Sequence, residues 1–384
     1  APSIERSATF TVLDPGVMPE IFAGMRGPDK GGCFLYSRHF NPTVDVLARS
    51  LAALEDTEHA VCTASGISAI ACALLQICEQ GSQIVASDTI YGGTHALLHS
   101  LMPCMGIETV FVDITDLDAV RAAVRPNTKA IYTEVVANPT LKVADLPGLK
   151  SIAQSCGAQL VVDNTFTPCL VTPARHGADI VVASLTKFIN GSADAIAGVI
   201  CCSRELVLRL MDLHTGRAML LGPTMDPRVA FEIYQRLPHL PLRMREHSRR
   251  ALAIAQHLEA MGAPVCYPGL SEHPHHLRLR GFTNPGYGFG GLFTLDAGSR
   301  ERAERLMALL QNEEQFGFIA VSLGYYDTLM SCSSSSTSSE IPPEDQQRMG
   351  LSNGLVRISV GITGALEDRI AQIARAVRAA GLAQ

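Results

Sequence analysis

The sequence predicts an α/β fold, in which a mostly parallel sheet is flanked by helices and followed by a smaller α+β domain. Three observations support this prediction. Between about residues 44 and 202, short apolar runs alternate with amphipathic helical segments. The runs are almost wholly apolar, which is typical of strands buried on both faces of a parallel sheet. After about residue 240, this alternation gives way to longer helical patterns and isolated strand patterns.

The strands of the large sheet are predicted from six apolar, β-rich runs. These runs are SQIVAS (82–87), ETVFVDI (108–114), KAIYTEVV (129–136), QLVVDNT (159–165), DIVVAS (179–184) and AGVICC (197–202). Two helices are predicted from apolar residues that recur three and four positions apart. They are Leu47, Leu51 and Leu54 in the first helix, and Ile67, Ile70, Leu74 and Ile77 in the second. Asp116 and Asp145 precede further helical segments at the N-cap position.

The smaller domain is predicted from the patterns after residue 240. Two segments are helical and two are strand-like: RRALAIAQHLEAMG (249–262, with Gly262 as a stop), ALEDRIAQIARAVRAAG (365–381), GLFTLDA (291–297) and LVRISVG (355–361). The first 43 or so residues show no regular periodicity. We therefore expect an N-terminal arm at 1–43, an α/β domain at 44–240 and an α+β domain at 241–384.

The composition argues against several functions. A net charge of −6 does not suit nucleic-acid binding, which needs clustered Lys and Arg. There is no apolar run of about 18 residues to span a membrane, and APSIERSATF lacks the features of a signal peptide. The 11 cysteines lie in apolar runs without a C-x-x-C pair, which favours buried free thiols in a reducing cytosol. The histidines of EHPHH (272–276) fit a surface loop better than a metal site. We predict a cytoplasmic protein.

Polar residues follow several of the predicted strands, at the sheet edge where α/β proteins bind ligands. They are Tyr91 after SQIVASDTI, Asn138 after AIYTEVVA, Asp163 after QLVV, and Lys187 after DIVVASLT. TASGIS (63–68) places Gly66 at a helix start, which is a natural anion site. Each of these residues alone is more commonly a cap, a turn or a solvated strand end. Together they supply what pyridoxal 5′-phosphate needs: a Schiff-base lysine, a carboxylate for the ring nitrogen, a stacking aromatic and a phosphate cradle.

The order of these motifs resembles the Cys/Met-metabolism family of pyridoxal-phosphate enzymes. The resemblance rests on YSRHFNPT, TASGISAI, TIYGGT, EVVANPT, VVDNTF, SLTKFING, AVSLG and GLVRISVG, and it spans essentially the whole chain. It is strongest with the plant-type methionine γ-lyases, through the segments SRHFNPT, MLLGPTM, FGFIAVSLGYYDTLMSCSSSSTSSE and GLVRISVG. The resemblance implies fold type I, with a seven-stranded sheet. It also implies a homotetramer of two dimers whose active sites are shared, so that the arm serves a partner's site.

The resemblance implies roles for the residues around the cofactor. Lys187 would form the Schiff base and shuttle protons, and Asp163 would pair with the pyridinium nitrogen. Tyr91 would stack on the ring and assist departure of the γ-substituent, and Asn138 would lie near the ring hydroxyl. The phosphate would be bound by backbone or side-chain groups of Gly66, Ile67, Ser184, Thr186 and, from the neighbouring subunit, Tyr36 and Arg38. Arg357, helped by Ser322, would grip the substrate carboxylate as a planar fork.

The implied reaction is γ-elimination on methionine or a close analogue, giving 2-oxobutanoate, ammonia and a thiol. The sequence leaves γ-replacement on an O-acyl-homoserine open, since the same residues would serve it. Gly93 stands where bacterial methionine γ-lyases commonly carry Cys, and Gly191-Ser192 where the family often has Gly-His. The class of lyase is therefore better supported than methionine itself. A non-catalytic protein is disfavoured, because Lys187, Asp163, Tyr91 and Arg357 are all present.

The serine-rich stretch TLMSCSSSSTSSEIPPED (328–345) has the composition of a linker. However, Ser322 and Arg357 flank it, and both are expected to face the substrate. We therefore expect residues 332–339 to form an ordered loop near the mouth of the active site.

Overall fold

A computed structural model describes residues 2–27, 33–332, 346 and 349–383. The larger sheet contains seven strands in the order β1-β7-β6-β5-β4-β2-β3. Their bounds are β1 His59–Thr63, β2 Gln83–Ser87, β3 Glu108–Val112, β4 Thr128–Glu134, β5 Gln159–Asp163, β6 Ile180–Ser184 and β7 Gly198–Cys202. Five neighbouring strands, β3 to β6 with β2 between β3 and β4, pair in parallel. β7 is antiparallel to both of its neighbours, β1 and β6.

Helices connect and cover these strands. Their bounds are α1 Val17–Phe22, α2 Pro42–Glu55, α3 Gly66–Ile77, α4 Gly92–Ala96, α5 Met102–Cys104, α6 Leu117–Ala123, α7 Leu146–Cys156, α8 Arg204–Leu210, α9 Arg217–Leu221, α10 Pro227–Arg236 and α11 Leu240–Ala260. A π-helical turn at Leu97–Leu101 joins α4 to α5. Asp116 and Asp145 cap α6 and α7 through their side chains, as predicted.

The two faces of the large sheet pack against separate hydrophobic cores. Val85 and Ile131 lie in one core, whereas Ile84 and Tyr132 lie in the other. This separation follows from the strand geometry, because successive side chains point to opposite faces. Apolar residues at nearly every position of these strands are therefore required, which explains the runs in the sequence.

The second sheet has five strands in the order β10-β11-β12-β9-β8. The strands are β8 Val265–Cys266, β9 Leu292–Asp296, β10 Phe318–Ile319, β11 Leu329–Cys332 and β12 Leu355–Ser359, and the helices are α12 His276–Phe282, α13 Arg300–Ala308 and α14 Leu366–Ala379. A third core joins this sheet to α11, α13 and α14. The predicted fold class is confirmed, with two sheets, the larger of them mostly parallel. The division of the chain at residue 240 stays a prediction, and α11 begins at that residue.

The sequence prediction missed several elements of the fold, of which β1 and the first part of α11 are the most informative. β1 was not predicted, because HAVCT runs directly into the helix-start motif and was interpreted only for its cysteine. α11 begins nine residues before the predicted segment starting at Arg249, since its first turn contains Pro241, which is tolerated there. All 11 cysteines are free thiols, as expected, but only seven of them are buried: Cys104 is exposed, and Cys33, Cys156 and Cys266 are partly exposed. Among the described residues, none of the helices combines the length and apolarity needed to cross a bilayer.

Gly198 illustrates how tightly β7 packs beside α3, and it gives a test of the fold. A Cβ at Gly198 would collide with the backbone oxygen of Ser65, the residue that caps α3. Gly198→Ala is expected to lower the free energy of unfolding by about 1–3 kcal/mol, since backbone atoms cannot move aside cheaply. Gly281→Ala is the matched control, because Gly281 lies in α12 with open space around it. Urea unfolding of both variants measures the difference, and equal stabilities would contradict this packing.

Candidate active site

The site is built where three neighbouring strands of the large sheet end. Glu134, Asp163 and Ser184 are the last residues of β4, β5 and β6. They line a cavity of about 450 Å³ together with Lys187 and Arg357. Because the strands are parallel, their carboxyl ends meet at one edge of the sheet and place these polar groups side by side.

Asp163 is buried at the floor of this cavity. Its carboxylate accepts hydrogen bonds from the Thr165 N–H at 2.9 Å and the Tyr132 hydroxyl at 3.3 Å. Burial raises the pKa of Asp163, and these hydrogen bonds oppose the rise. A cation beside this carboxyl group would favour its charged form and so lower its pKa. A protonated ring nitrogen would be such a cation.

Lys187 lies in the turn after β6 and points into the cavity. Its Nζ donates to Ser322 Oγ at 3.1 Å. Burial lowers the pKa of Lys187 to about 8, and the nearby positive charge of Arg357 adds to this effect. Arg243, which the sequence analysis did not single out, stabilises this turn. Its guanidinium donates to the carbonyl oxygen of Phe188 at 2.5 Å and of Ile189 at 2.8 Å.

Arg357 brings the second sheet to the same cavity. It is on β12 and only 1% exposed. Its Nη1 donates to Asn138 Oδ1 at 3.1 Å, and its Nη2 donates to the carbonyl oxygen of Ser322 at 3.0 Å. Its Nε finds no hydrogen-bond partner among the described residues. Burial lowers the pKa of Arg357 to about 10, so the guanidinium stays charged near neutral pH. A buried cation with an unpartnered N–H favours an anionic ligand.

The first turn of α3 also lines the cavity. Gly66 and Ile67 line it there, beside Ser184 and Thr186. A Cβ at Gly66 would lie 2.7 Å from the Cβ of Ser184, so only glycine lets the helix start approach this strand end. The free N–H groups and positive dipole of the helix start, with the nearby hydroxyls, suit a phosphate.

Tyr91 stands at the rim, 43% exposed, directly before α4. Its ring fills the space above Gly93: a Cβ at Gly93 would lie 2.6 Å from Tyr91 Cε1. Gly93 therefore allows the ring to take this position. A side chain at position 93 would require the ring to take a different position.

Two predicted phosphate ligands, Tyr36 and Arg38, are outside this cavity. Arg38 lies over the Tyr36 ring, with 5.5 Å from its Cζ to the ring centroid, and donates to the Met219 carbonyl at 2.8 Å. The other ten predicted site residues lie at the cavity or contact its lining, with Ser322 joined to both Lys187 and Arg357.

The serine-rich loop cannot be compared with its prediction, because residues 333–339 lie outside the described residues. Cys332 ends β11 and is buried in the core of the second sheet.

Glu134 is a charged residue of the cavity lining that the sequence analysis missed. It lies opposite Asp163 in the β4–β5 register and is 7% exposed. Its carboxylate accepts the Tyr91 N–H at 2.7 Å and the Asn138 N–H at 2.8 Å. Burial and the charge of Asp163 raise its pKa, and the two amide contacts oppose this rise. A glutamate inside the apolar run KAIYTEVV was the available signal.

The residues present fit pyridoxal 5′-phosphate, as the sequence predicts. The cavity offers a lysine amine, a buried carboxylate, an aromatic ring and an anion cradle that a Cβ at Gly66 would fill. Lys187 would hold the aldehyde carbon, Asp163 the ring nitrogen, and the first turn of α3 the phosphate.

Comparisons with known proteins agree with this geometry. The family model described as Cys/Met metabolism PLP-dependent enzyme matches residues 1–378. A methionine gamma-lyase of Arabidopsis thaliana is 54% identical over 97% of this chain and 85% of its own. A cystathionine gamma-lyase of Bacillus subtilis is 38% identical over 89% of this chain and 88% of its own.

A solved structure shows the same fold. A putative O-acetylhomoserine (thiol)-lyase from Campylobacter jejuni, crystallised with pyridoxyl-lysine monophosphate, superposes with a TM-score of 0.90. The match covers 98% of this chain and 95% of that one at 26% identity. The pyridoxyl-lysine in that structure shows which kind of cofactor a site of this fold holds.

The lowered pKa of Lys187 predicts how the cofactor-free protein captures pyridoxal 5′-phosphate. The neutral amine attacks the aldehyde, and with a pKa of about 8 roughly one tenth of Lys187 is neutral at pH 7, against about 0.03% at the ordinary pKa. The rate of capture, followed by absorbance, should rise with pH and level off above about pH 8. A rise that continues through pH 10 would contradict the lowered pKa.

Arg357→Met tests the cause of this shift. It removes the neighbouring charge but not the burial, which is the larger effect, so the plateau should move partway toward higher pH. Arg121→Met is the control, since Arg121 lies on the exposed face of α6 and pairs with Asp118.

Proposed function

This chain belongs to the family of Cys/Met metabolism PLP-dependent enzymes, and from that premise we propose that it is a methionine γ-lyase. It would convert L-methionine and water into 2-oxobutanoate, ammonia and methanethiol. The observation that carries the proposal is the buried Arg357, whose Nε has no hydrogen-bond partner among the described residues and shares one cavity with the Lys187 amine. The guanidinium suits the carboxylate of an amino-acid substrate, and the amine suits proton transfer at its Cα.

Arg357 would bind the substrate carboxylate and so fix the substrate's orientation. Asn138 and Ser322 hold the guanidinium through its two Nη atoms. The carboxylate would then receive the remaining Nε hydrogen bond and the full effect of a charge shielded from water. This grip would place the substrate Cα within reach of Lys187 Nζ.

Lys187 would act as the proton carrier. Once the substrate amine has displaced it, its Nζ would take the proton from Cα and then serve Cβ in the same way. Pyridoxal 5′-phosphate, when bound, supplies the electron sink for the charge that develops at Cα. Ser322 Oγ, at 3.1 Å from Nζ, would orient the amine between these transfers. The lowered pKa allows Nζ to accept and return a proton near neutral pH.

Tyr91 and the apolar wall would govern the γ-group. The Tyr91 hydroxyl would deliver a proton to the departing sulfur. Val136, Phe166 and Leu323 supply buried apolar surface in the cavity, which suits a methylthio group. The relative named methionine gamma-lyase supports this substrate.

The second candidate is γ-replacement on an O-acyl-homoserine. It is favoured by the fold match to a protein named as an O-acetylhomoserine (thiol)-lyase. The two reactions need the same lysine, carboxylate and arginine, and they differ in whether a thiol enters the site after the γ-group leaves.

We also propose a homotetramer of two dimers, acting in the cytoplasm, with Tyr36 and Arg38 reaching the phosphate of a partner's site. The exposed position of Tyr36, at 41%, supports the proposal, since it leaves this side chain accessible to a second copy. The free thiols are consistent with a reducing compartment.

Parallel assays test the reaction. Purified enzyme given L-methionine alone should release 2-oxobutanoate and methanethiol. Rapid product only from O-acetyl-homoserine plus sulfide, measured as homocysteine, would refute the lyase proposal.

Lys187→Ala tests the site in the same assays. The variant should lose both the visible absorbance of the lysine-bound cofactor and turnover, because no other group would take over its amine. Retention of both would contradict the assignment of Lys187.

A further inference from the structure

Glu134 stands at the centre of a continuous hydrogen-bonded path through the cavity. One carboxylate oxygen accepts the Tyr91 N–H at 2.7 Å, and the other accepts the Asn138 N–H at 2.8 Å. Asn138 in turn accepts from Arg357 at 3.1 Å through its side chain. Glu134 therefore joins the backbone under the aromatic ring to the residue that holds the guanidinium.

Both contacts of Glu134 are to backbone amides at points where the chain leaves regular structure. Tyr91 directly precedes α4, and Asn138 follows β4 by four residues. Both amides lie outside the described strands, and Glu134 accepts from each of them. The Asn138 contact is buried, and a buried N–H left without an acceptor costs about 1–3 kcal/mol, so the carboxylate favours one arrangement of these two segments.

The surroundings of Glu134 explain why a carboxylate is tolerated in this place. It is 7% exposed and faces Asp163 across the β4–β5 register, and these two conditions raise its pKa. The two amide contacts and the charge of Arg357 oppose this rise. The buried carboxylate of Glu134 therefore costs free energy of desolvation, and packing alone does not require a carboxylate here.

We propose that Glu134 is a positioning residue that sets the Tyr91 ring and the Arg357 guanidinium relative to each other. Glu134 has no predicted contact with the substrate and acts through the backbone of Tyr91 and Asn138. The proposal rests on the proposed function for the roles of Tyr91 and Arg357. Its geometric part concerns only how these groups meet the cofactor and an amino acid.

Glu134→Gln in the holoenzyme is the direct test. The side chain keeps its length, but one acceptor oxygen becomes an NH₂ that faces an N–H. The visible circular dichroism of the bound cofactor should fall by at least about half as the Tyr91 ring moves. KM for L-methionine should rise about tenfold with the loss of one buried hydrogen bond, and kcat should fall about 100-fold with misplacement of the reacting groups.

Two further variants sharpen the test. Glu134→Asp keeps both acceptors on a shorter side chain that cannot span both amides, so it should shift the dichroism in the same direction. If the Gln variant does not fold, the Asp variant replaces it in the test. Glu108→Gln is the matched control, because Glu108 starts β3 of the same sheet and is half exposed in an ion pair with Arg125. It should leave dichroism, KM and kcat unchanged.

The outcomes separate positioning from a merely structural role. A lower melting temperature with unchanged dichroism and unchanged KM in the folded protein would overturn the proposal, as would wild-type values throughout. If the wild-type protein shows no lyase activity, the dissociation constants of the cofactor and of L-methionine, measured by titration, take the place of KM. A weakened cofactor signal in Glu134→Gln would then support positioning even though the proposed function had failed.

Discussion

The structure depends on a buried positive charge, the guanidinium of Arg357. It is carried by the second sheet but forms its hydrogen bonds in the cavity of the first, to Asn138 and to the backbone of Ser322. Burying a guanidinium is costly unless it is bonded and paired. These contacts offset part of that cost, and the one with Asn138 joins the second sheet to the loop after β4 of the first. Nε has no hydrogen-bond partner among the described residues, and we propose that a substrate carboxylate fills this place.

The large sheet contributes the other half of the site through its topology. Parallel strands bring Glu134, Asp163 and Ser184 to one edge, and glycines allow close approach around them. Gly66 admits the start of α3 against Ser184, and Gly93 leaves room for the Tyr91 ring. The result is a pocket lined by both an anion cradle and a buried cation. We propose that a phosphorylated ring binds at the cradle and an amino acid at the cation.

The sequence predicted much of the fold because the buried strands are short, apolar and separated by well-capped helices. Asp163 and Lys187 were identifiable because the first ends a strand and the second closely follows one. Arg357 was identifiable only through the family resemblance, since it sits inside a strand and its partner Asn138 is 219 residues away. Glu134 was missed for a similar reason: its importance comes from two backbone amides that only the folded chain brings to it. β1 was missed because its run merges into the start of α3.

The central claim is that Arg357 recognises the substrate carboxylate, and comparing L-methionine with L-methioninamide tests it most directly. Spectroscopic titration of the holoenzyme gives the dissociation constant of each compound. The wild-type protein should bind the carboxylate form at least about tenfold more tightly, because a charge-assisted hydrogen bond in a buried site is lost with the amide. Arg357→Lys should reduce this preference, since a lysine cannot reproduce the planar fork. An undiminished preference in Arg357→Lys and in Arg357→Met would contradict the claim.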